Sequence, residues 1–103
     1  MTAENLAAQA ALFTCLAGLA VGRPDLPAAY VTISRFAPRE LSVQLDSPSK
    51  VEAWREALGA DSDLVRVDRI GNRSSLEFDA SAFGIAFHVY ATYEQAVAEA
   101  GTA

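Results

Sequence analysis

The chain has 103 residues, of which 51% are hydrophobic and 20% are charged. This length and balance are typical of one globular domain around one core, and they exclude a disordered chain. The formal net charge is -5 and Lys and Arg form no cluster, which excludes nucleic-acid binding that depends on neutralising many phosphates. We therefore expect a single domain over residues 1–103 with no direct nucleic-acid partner.

The cysteine content indicates a reducing compartment. Cys15 is the only cysteine, so no disulfide can form within the chain. The apolar stretch from Ala7 to Val21 follows Glu4 rather than a basic segment, and it is too short to span about 30 Å of hydrocarbon. We expect a cytoplasmic protein with no membrane partner, in which this stretch is a core helix.

The first predicted element is a helix from Ala3 to about Ala20, with Thr2 as its N-cap. Its apolar residues recur at helical spacing and spread over most of its surface, so we expect the helix to be largely covered. Gly22 and Pro24 end it, because glycine adopts the left-handed conformation after a helix and proline cannot continue one.

Two alternating segments, Tyr30–Arg35 and Leu41–Asp46, predict a pair of antiparallel strands. A loop from Phe36 to Glu40 keeps the apolar and polar faces of this pair distinct. It places the following residues opposite one another: Val31 and Leu45, Ile33 and Val43, Thr32 and Gln44, and Ser34 and Ser42.

A second helix is predicted to begin at Ser47-Pro48, where serine is the N-cap and proline takes the first helical position. Its apolar stripe includes Trp54 and Leu58, and Gly59 ends it. Trp54 is the largest apolar side chain of the protein, so we expect it to anchor this helix against the sheet.

Three further strands are predicted after the second helix. Gly71-Asn72 is a typical hairpin turn, and a second turn is predicted over Ser81–Gly84. These turns place apolar residues opposite one another on one face: Val65 and Phe78, Val67 and Leu76, Phe78 and Phe87, and Leu76 and Val89.

The C-terminal segment completes the predicted order of elements. Thr92 and Gln95 form a capping box that predicts a short helix through Val97. The order is then α-β-β-α-β-β-β-α, which forms two helix-hairpin units. We expect an α+β fold in which an antiparallel sheet of about five strands carries helices on one face.

The predicted register brings titratable side chains together on the polar face of the second group of strands. A carboxylate between a guanidinium and an imidazole could orient the only histidine as a general base. Opposite charges across antiparallel strands are also ordinary stabilisers of a sheet, contributing about 0.2–1 kcal/mol per pair. The rows are Arg66, Glu77 and His88, and next to them Asp68, Ser75 and Tyr90. All of these except Ser75 form the candidate polar-face site.

No other motif predicts a reaction centre. Asp61-Ser62-Asp63 lacks the glycine and bidentate glutamate of a calcium loop, so we interpret it as a solvated acidic turn. One cysteine and one histidine cannot supply a zinc site, and the sequence has no glycine-rich phosphate-binding loop. Cys15 is interpreted as a core residue rather than a nucleophile. We assign no catalytic residue, cofactor or metal.

Two segments, Pro24–Phe36 and VEAWREALG from Val51 to Gly59, carry a helix entry, a tryptophan anchor and a glycine stop. Together they resemble small uncharacterised proteins of actinobacteria, their integrated elements and their phages. That group has no established activity. The resemblance therefore implies a setting, that of a phage or mobile-element accessory protein, and no functional residue.

Three functions are compatible with the sequence. The leading hypothesis is a non-enzymatic binding or regulatory protein, acting as a homodimer through protein contacts, because a sheet covered on one face leaves the other to a partner. The alternative is a small ligand-binding domain or enzyme that uses Arg66, Glu77 and His88. The third is an acidic inhibitor that imitates nucleic acid, ranked last because 13 acidic against 8 basic residues is a mild excess.

Overall fold

The computed structural model describes residues 4–94 and has an α+β fold. Short 3₁₀ turns precede the first helix and the third strand, at Leu6–Gln9 and Ser62–Leu64. The helices and strands are α1 (Ala10–Gly22), β1 (Tyr30–Ser34), β2 (Ala37–Leu45), α2 (Pro48–Leu58), β3 (Arg66–Ile70), β4 (Arg73–Ala82) and β5 (Ile85–Glu94).

The strands form one five-stranded sheet in the order β1-β2-β5-β4-β3. The prediction of an antiparallel sheet is wrong at its centre, because β2 and β5 run parallel while the other neighbours are antiparallel. The reason is the crossover through α2, which starts β3 in the same direction as β2. The meander β3-β4-β5 then brings β5 back in that direction, so β5 meets β2 in parallel.

Both helices pack on one face of the sheet, where they enclose the core. Trp54 on α2 is 5% exposed, and its indole N–H donates to the carbonyl of Pro27 at 3.0 Å. This bond ties α2 to the segment that leads into β1. The large buried residues of the core are Leu12, Leu19, Leu41, Val43, Leu45, Val51, Trp54, Leu58, Phe78, Ile85, Phe87 and Val89.

Helix α2 has the predicted boundaries, with Ser47 as N-cap and Gly59 in the left-handed conformation at φ 69°. Helix α1 differs from its prediction. Only Leu12 and Leu19 on it are buried, because a single stripe of the helix faces the sheet, and Val21 is 81% exposed. Its predicted N-cap, Thr2, lies outside the described residues. Within residues 4–94, neither helix has the length and apolarity needed to cross a bilayer.

The first hairpin is tighter than predicted. Strand β2 begins at Ala37, and the backbone N–H of Phe36 donates to the Ser34 hydroxyl at 3.1 Å, which closes a short turn. Val31 therefore pairs with Val43 instead of Leu45, and Thr32 pairs with Ser42 instead of Gln44. The pairing is irregular after Thr32, so that Ser34 lies opposite Ala37 instead of Ser42. A shift of two residues keeps Val31 and Thr32 on their predicted faces.

In the second group of strands, the predicted turn between β3 and β4 is confirmed, whereas the turn between β4 and β5 lies one residue later than predicted. Pairing of β3 with β4 follows the predicted register, with Val67 opposite Leu76. The turn between β4 and β5 is made by Phe83 and Gly84, both with positive φ, which matches the right-handed twist of a hairpin. Phe78 consequently pairs with Val89 rather than Phe87.

The C-terminal helix prediction is contradicted at its start. Thr92, its predicted N-cap, lies within β5, which continues to Glu94 and pairs there with Arg73. The remainder of that prediction, from Gln95 through Val97, lies outside the described residues.

Candidate functional site

The sheet face turned away from α1 and α2 is polar and is called the open face below. Alternation along the strands produces it, since the core residues of β2 and β5 are separated by partly exposed polar ones. Backbone pairing arranges its side chains in rows that cross the strands. One row is Thr32, Ser42, His88 and Asp79, and the next is Tyr30, Gln44, Tyr90, Glu77 and Arg66.

A charged cluster of Arg66, Glu77, Asp79 and His88 lies at the centre of the open face. One guanidinium nitrogen of Arg66, Nη2, donates to Oε1 of Glu77 at 3.0 Å and to Oδ2 of Asp79 at 2.9 Å. The second carboxylate oxygen of Asp79, Oδ1, is 2.7 Å from Nδ1 of His88. Asp79 therefore joins the guanidinium to the imidazole.

The His88 ring is held on three sides. Its Nε2 atom is 3.6 Å from Oε1 of Glu77, so both ring nitrogens face carboxylates on β4. Tyr90 stacks against the ring with centroids 5.1 Å apart and planes inclined at 29°. The hydroxyl of Tyr90 donates to Oε1 of Gln44 at 3.4 Å, which extends the network to β2.

The two carboxylates of the cluster have different surroundings. Glu77 is buried, with only 12% of its side chain exposed, whereas the side chain of Asp79 is 58% exposed. Burial raises the pKa of Asp79, but the hydrogen bonds from His88 and Arg66 outweigh it and hold that pKa below its usual range. The hydrogen bond to Asp79 in turn raises the pKa of Arg66.

The acid dependence of stability tests this pairing. Because the pKa of Asp79 is lower in the folded protein, its contribution to stability is present above its ordinary pKa and is lost as the pH falls through the folded value. We expect the free energy of unfolding to fall as the pH drops below the ordinary aspartate pKa of 3.8, and to fall less in Asp79→Asn. Urea unfolding at a series of acidic pH values measures how steeply the free energy of unfolding falls in the wild type and in Asp79→Asn. An equal fall in both proteins would contradict the pairing of Asp79 with His88 and Arg66.

The structure brings together four of the predicted site residues, Arg66, Glu77, His88 and Tyr90, in a different arrangement. Arg66 lies opposite Glu77 as predicted, but His88 lies opposite Asp79, and Tyr90 lies opposite Glu77. The cause is the two-residue shift of β5 against β4. Asp68 pairs with Ser75 as predicted, and it lies in the row beyond Arg66.

Asp79 is the cluster residue that the sequence prediction missed. It follows Glu77 by two positions on the same strand, so strand alternation puts both carboxylates on one face. That spacing was sufficient to include Asp79 in the candidate site. Its contact with His88 additionally needed the correct turn between β4 and β5.

The geometry limits what His88 can do chemically. The residue across β5 from Asp79 is Ser42, which makes a serine, a histidine and an aspartate consecutive in one row. A nucleophilic serine needs the free ring nitrogen of the histidine directed at its hydroxyl. Here both nitrogens point toward β4, on the side of His88 away from Ser42, so the row lacks the orientation of an activated nucleophile.

A shallow depression of about 530 Å³ lies beside the cluster on the open face. Asp79 and His88 lie in its lining, and apolar residues such as Ile33 and Leu64 form much of the remainder. The polar residues that line it are Thr32, Ser34, Glu40, Ser42, Ser81, Asp79 and His88.

The other candidate features have local structural roles. Oδ1 of Asp61 accepts the backbone N–H of Asp63 at 2.9 Å and caps a 3₁₀ turn. Cys15 is half-buried against the core, and burial raises the pKa of its thiol. Among residues 4–94, no three His, Cys, Asp or Glu side chains are arranged to hold a metal ion.

The fold and the cluster together define an α+β domain with one helix-covered sheet face and one open polar face. Comparison with protein families, curated proteins and solved structures finds no match to this chain. The proposals below therefore rest on the chain's own contacts and charges.

Proposed function

We propose that this chain is a non-enzymatic protein-binding or regulatory accessory protein of a phage or mobile element, and that its open face holds a protein partner. The observation that carries the proposal is the mutual pairing within the charged cluster. Arg66, Asp79, Glu77 and His88 direct their polar atoms at one another. Such a cluster fixes the shape and charge pattern of a surface, which supports a binding role.

The dimensions of the open face also favour a protein partner. Five strands at about 4.8 Å spacing span about 19 Å, and the two longest strands, β4 and β5 with ten residues each at about 3.4 Å, span about 34 Å. The rectangle enclosed by these dimensions is about 650 Å², which approaches the roughly 800 Å² that each partner buries in a standard interface. Tyr30, which is 76% exposed, and Tyr90 provide the aromatic side chains that interfaces favour.

A bulky substitution in the middle of the open face tests the proposal. In Ser42→Arg, a long cation lies on β2 beside His88 and blocks a flat partner, whereas Ser49→Arg makes the same change on α2. We expect wild type and Ser49→Arg to capture the same partner from the native host, and Ser42→Arg to lose it. Equal capture by both variants, with circular dichroism showing both folded, would reject the open face as the binding surface.

A second candidate function is binding of a small ligand, and the depression beside Asp79 and His88 favours it. Small-molecule sites are commonly 300–1,000 Å³ but bury most of the ligand, which a shallow depression does not. This candidate predicts that His88→Ala abolishes binding of any compound that raises the melting temperature of the wild type. Unchanged shifts in His88→Ala would remove it.

A further inference from the structure

The edge strand β1 is the least protected strand of the sheet. All five of its residues are exposed, and none of them is charged. Proteins usually protect an edge strand with charged residues, because its free N–H and C=O groups are a template for another strand. The opposite edge, β3, follows that rule, since it carries Arg66, Asp68 and Arg69.

We infer that β1 pairs antiparallel with β1 of a second copy across a two-fold axis, so that two chains share one ten-stranded sheet. The inference deepens the proposed function and rests on it, since it defines the oligomer in which the open face acts. An isologous interface requires a surface that is complementary to itself. An uncharged strand that pairs antiparallel with its own copy meets that requirement.

The side chains select the register of this pairing. With the axis at Thr32, Val31 of one copy lies opposite Ile33 of the other. Val31 and Ile33 are 40% and 36% exposed in a single chain, and this pairing covers both. On the open face Thr32 meets its own copy, and threonine pairs stabilise antiparallel strands.

Helix α1 adds apolar surface beside the same edge. Val31 and the C-terminal half of α1, including Leu16 and Ala20, line one groove of about 220 Å³. A second copy seated on β1 therefore also meets the apolar surface of α1 that the sheet leaves uncovered. Neither α1 nor β1 contains a charged residue, and within residues 4–94 Arg23 is the one charged residue that lines this groove.

The charge pattern also selects which edge forms the interface. If β3 paired with its own copy about its central residue, Asp68 would lie against Asp68 and Arg69 against Val67. Like charges directly opposite are destabilising in a sheet. The β1 edge has no such conflict, and pairing there aligns the open faces of both copies in one continuous surface.

Matched lysine substitutions on the two edges test the interface. Val31→Lys and Val67→Lys make the same change on the same face of opposite edge strands, at residues 40% and 53% exposed. By light scattering we expect wild type and Val67→Lys at twice the chain mass of 10.9 kDa and Val31→Lys at the single mass. A wild type of single mass, or a double mass for Val31→Lys, would overturn the inference.

Cross-linking provides a second readout that does not depend on the lysine variants folding. In a Cys15→Ser background, Thr32→Cys places two thiols at the axis within disulfide reach, whereas Asp68→Cys places its thiol on the other edge. We expect mild oxidation to link Thr32→Cys into dimers and to leave Asp68→Cys monomeric. Equal yields from both variants would also overturn the inference.

Partner capture separates this inference from the proposed function. A Val31→Lys monomer that still captures the partner shows that the open face works without the β1 interface. The reverse outcome is that Ser42→Arg remains a dimer and still captures the partner. The β1 interface then stands, and the open-face proposal fails.

Discussion

Replacing Trp54 with alanine is expected to lower the free energy of unfolding by about 3–5 kcal/mol. The indole is 5% exposed between α2 and the sheet, so its removal leaves a cavity among residues that cannot fully close it. The carbonyl of Pro27 also loses its hydrogen bond from the indole N–H. The total free energy of unfolding of a small domain is only about 5–15 kcal/mol. We therefore expect Trp54→Ala to be less stable than any other single variant proposed for this protein.

Trp54→Phe separates packing from hydrogen bonding at the same position. The phenyl ring fills most of the site, but the carbonyl of Pro27 has no indole donor, and we expect a loss of about 1–2 kcal/mol. Chemical denaturation followed by circular dichroism measures both variants, because Trp54 is the only tryptophan and its fluorescence is lost with it. Equal losses for the phenylalanine and alanine variants would show that packing is not the main contribution.

Elements whose ends are set by nearby proline or glycine residues could be predicted from the sequence. Helix α2 starts at Pro48, whose fixed φ suits the first helical position and which has no N–H to leave unpaired, and it ends where Gly59 adopts a positive φ. The hairpin of β3 and β4 follows from Gly71, also at positive φ. In each case the residue that determines the structure lies within a few positions of the feature it determines.

The predicted registers of β1 with β2 and of β4 with β5 are wrong, because each depends on a turn whose sequence fits more than one position. In the β4-β5 turn, Phe83 takes a left-handed φ of 57°, a conformation that a large non-glycine side chain rarely adopts. The sequence alone therefore favoured a turn one residue earlier, which changes every partner on β5 by two. Since the side-chain period of a strand is two, faces were predicted correctly while rows were not.

The difference between faces and rows explains why the sequence predicted which sheet face carries the candidate site but not which of its residues are in contact. The face carrying Arg66, Glu77 and His88 needed only alternation, and it was identified. The partner of His88 needed the row, and the row depends on the turn at Phe83 and Gly84. The parallel contact of β2 with β5 was missed for a similar reason, since it depends on where α2 delivers β3 rather than on either strand.

Replacing Arg66 with methionine is expected to lower the free energy of unfolding by about 2 kcal/mol. Methionine keeps the length and apolar stem of the side chain but removes the donor that Glu77 and Asp79 share. Glu77 is only 12% exposed, so its charge loses its closest partner without gaining access to water. Asp79 is largely exposed and is expected to contribute less to the loss.

Two comparisons identify the buried carboxylate as the cause. Adding Glu77→Gln to Arg66→Met should recover at least half of the lost stability, because a neutral amide is less costly to bury unpaired than a charge. Arg73→Met makes the same change on the same face, where Arg73 lies 4.0 Å from the exposed Glu94, and should cost less than about 1 kcal/mol. Two results would refute the role of the cluster in fixing the open face: equal destabilisation by Arg73→Met and Arg66→Met, or a double variant no more stable than Arg66→Met. Either result would mean that the pairing of the buried Glu77 carboxylate contributes no more than a surface ion pair.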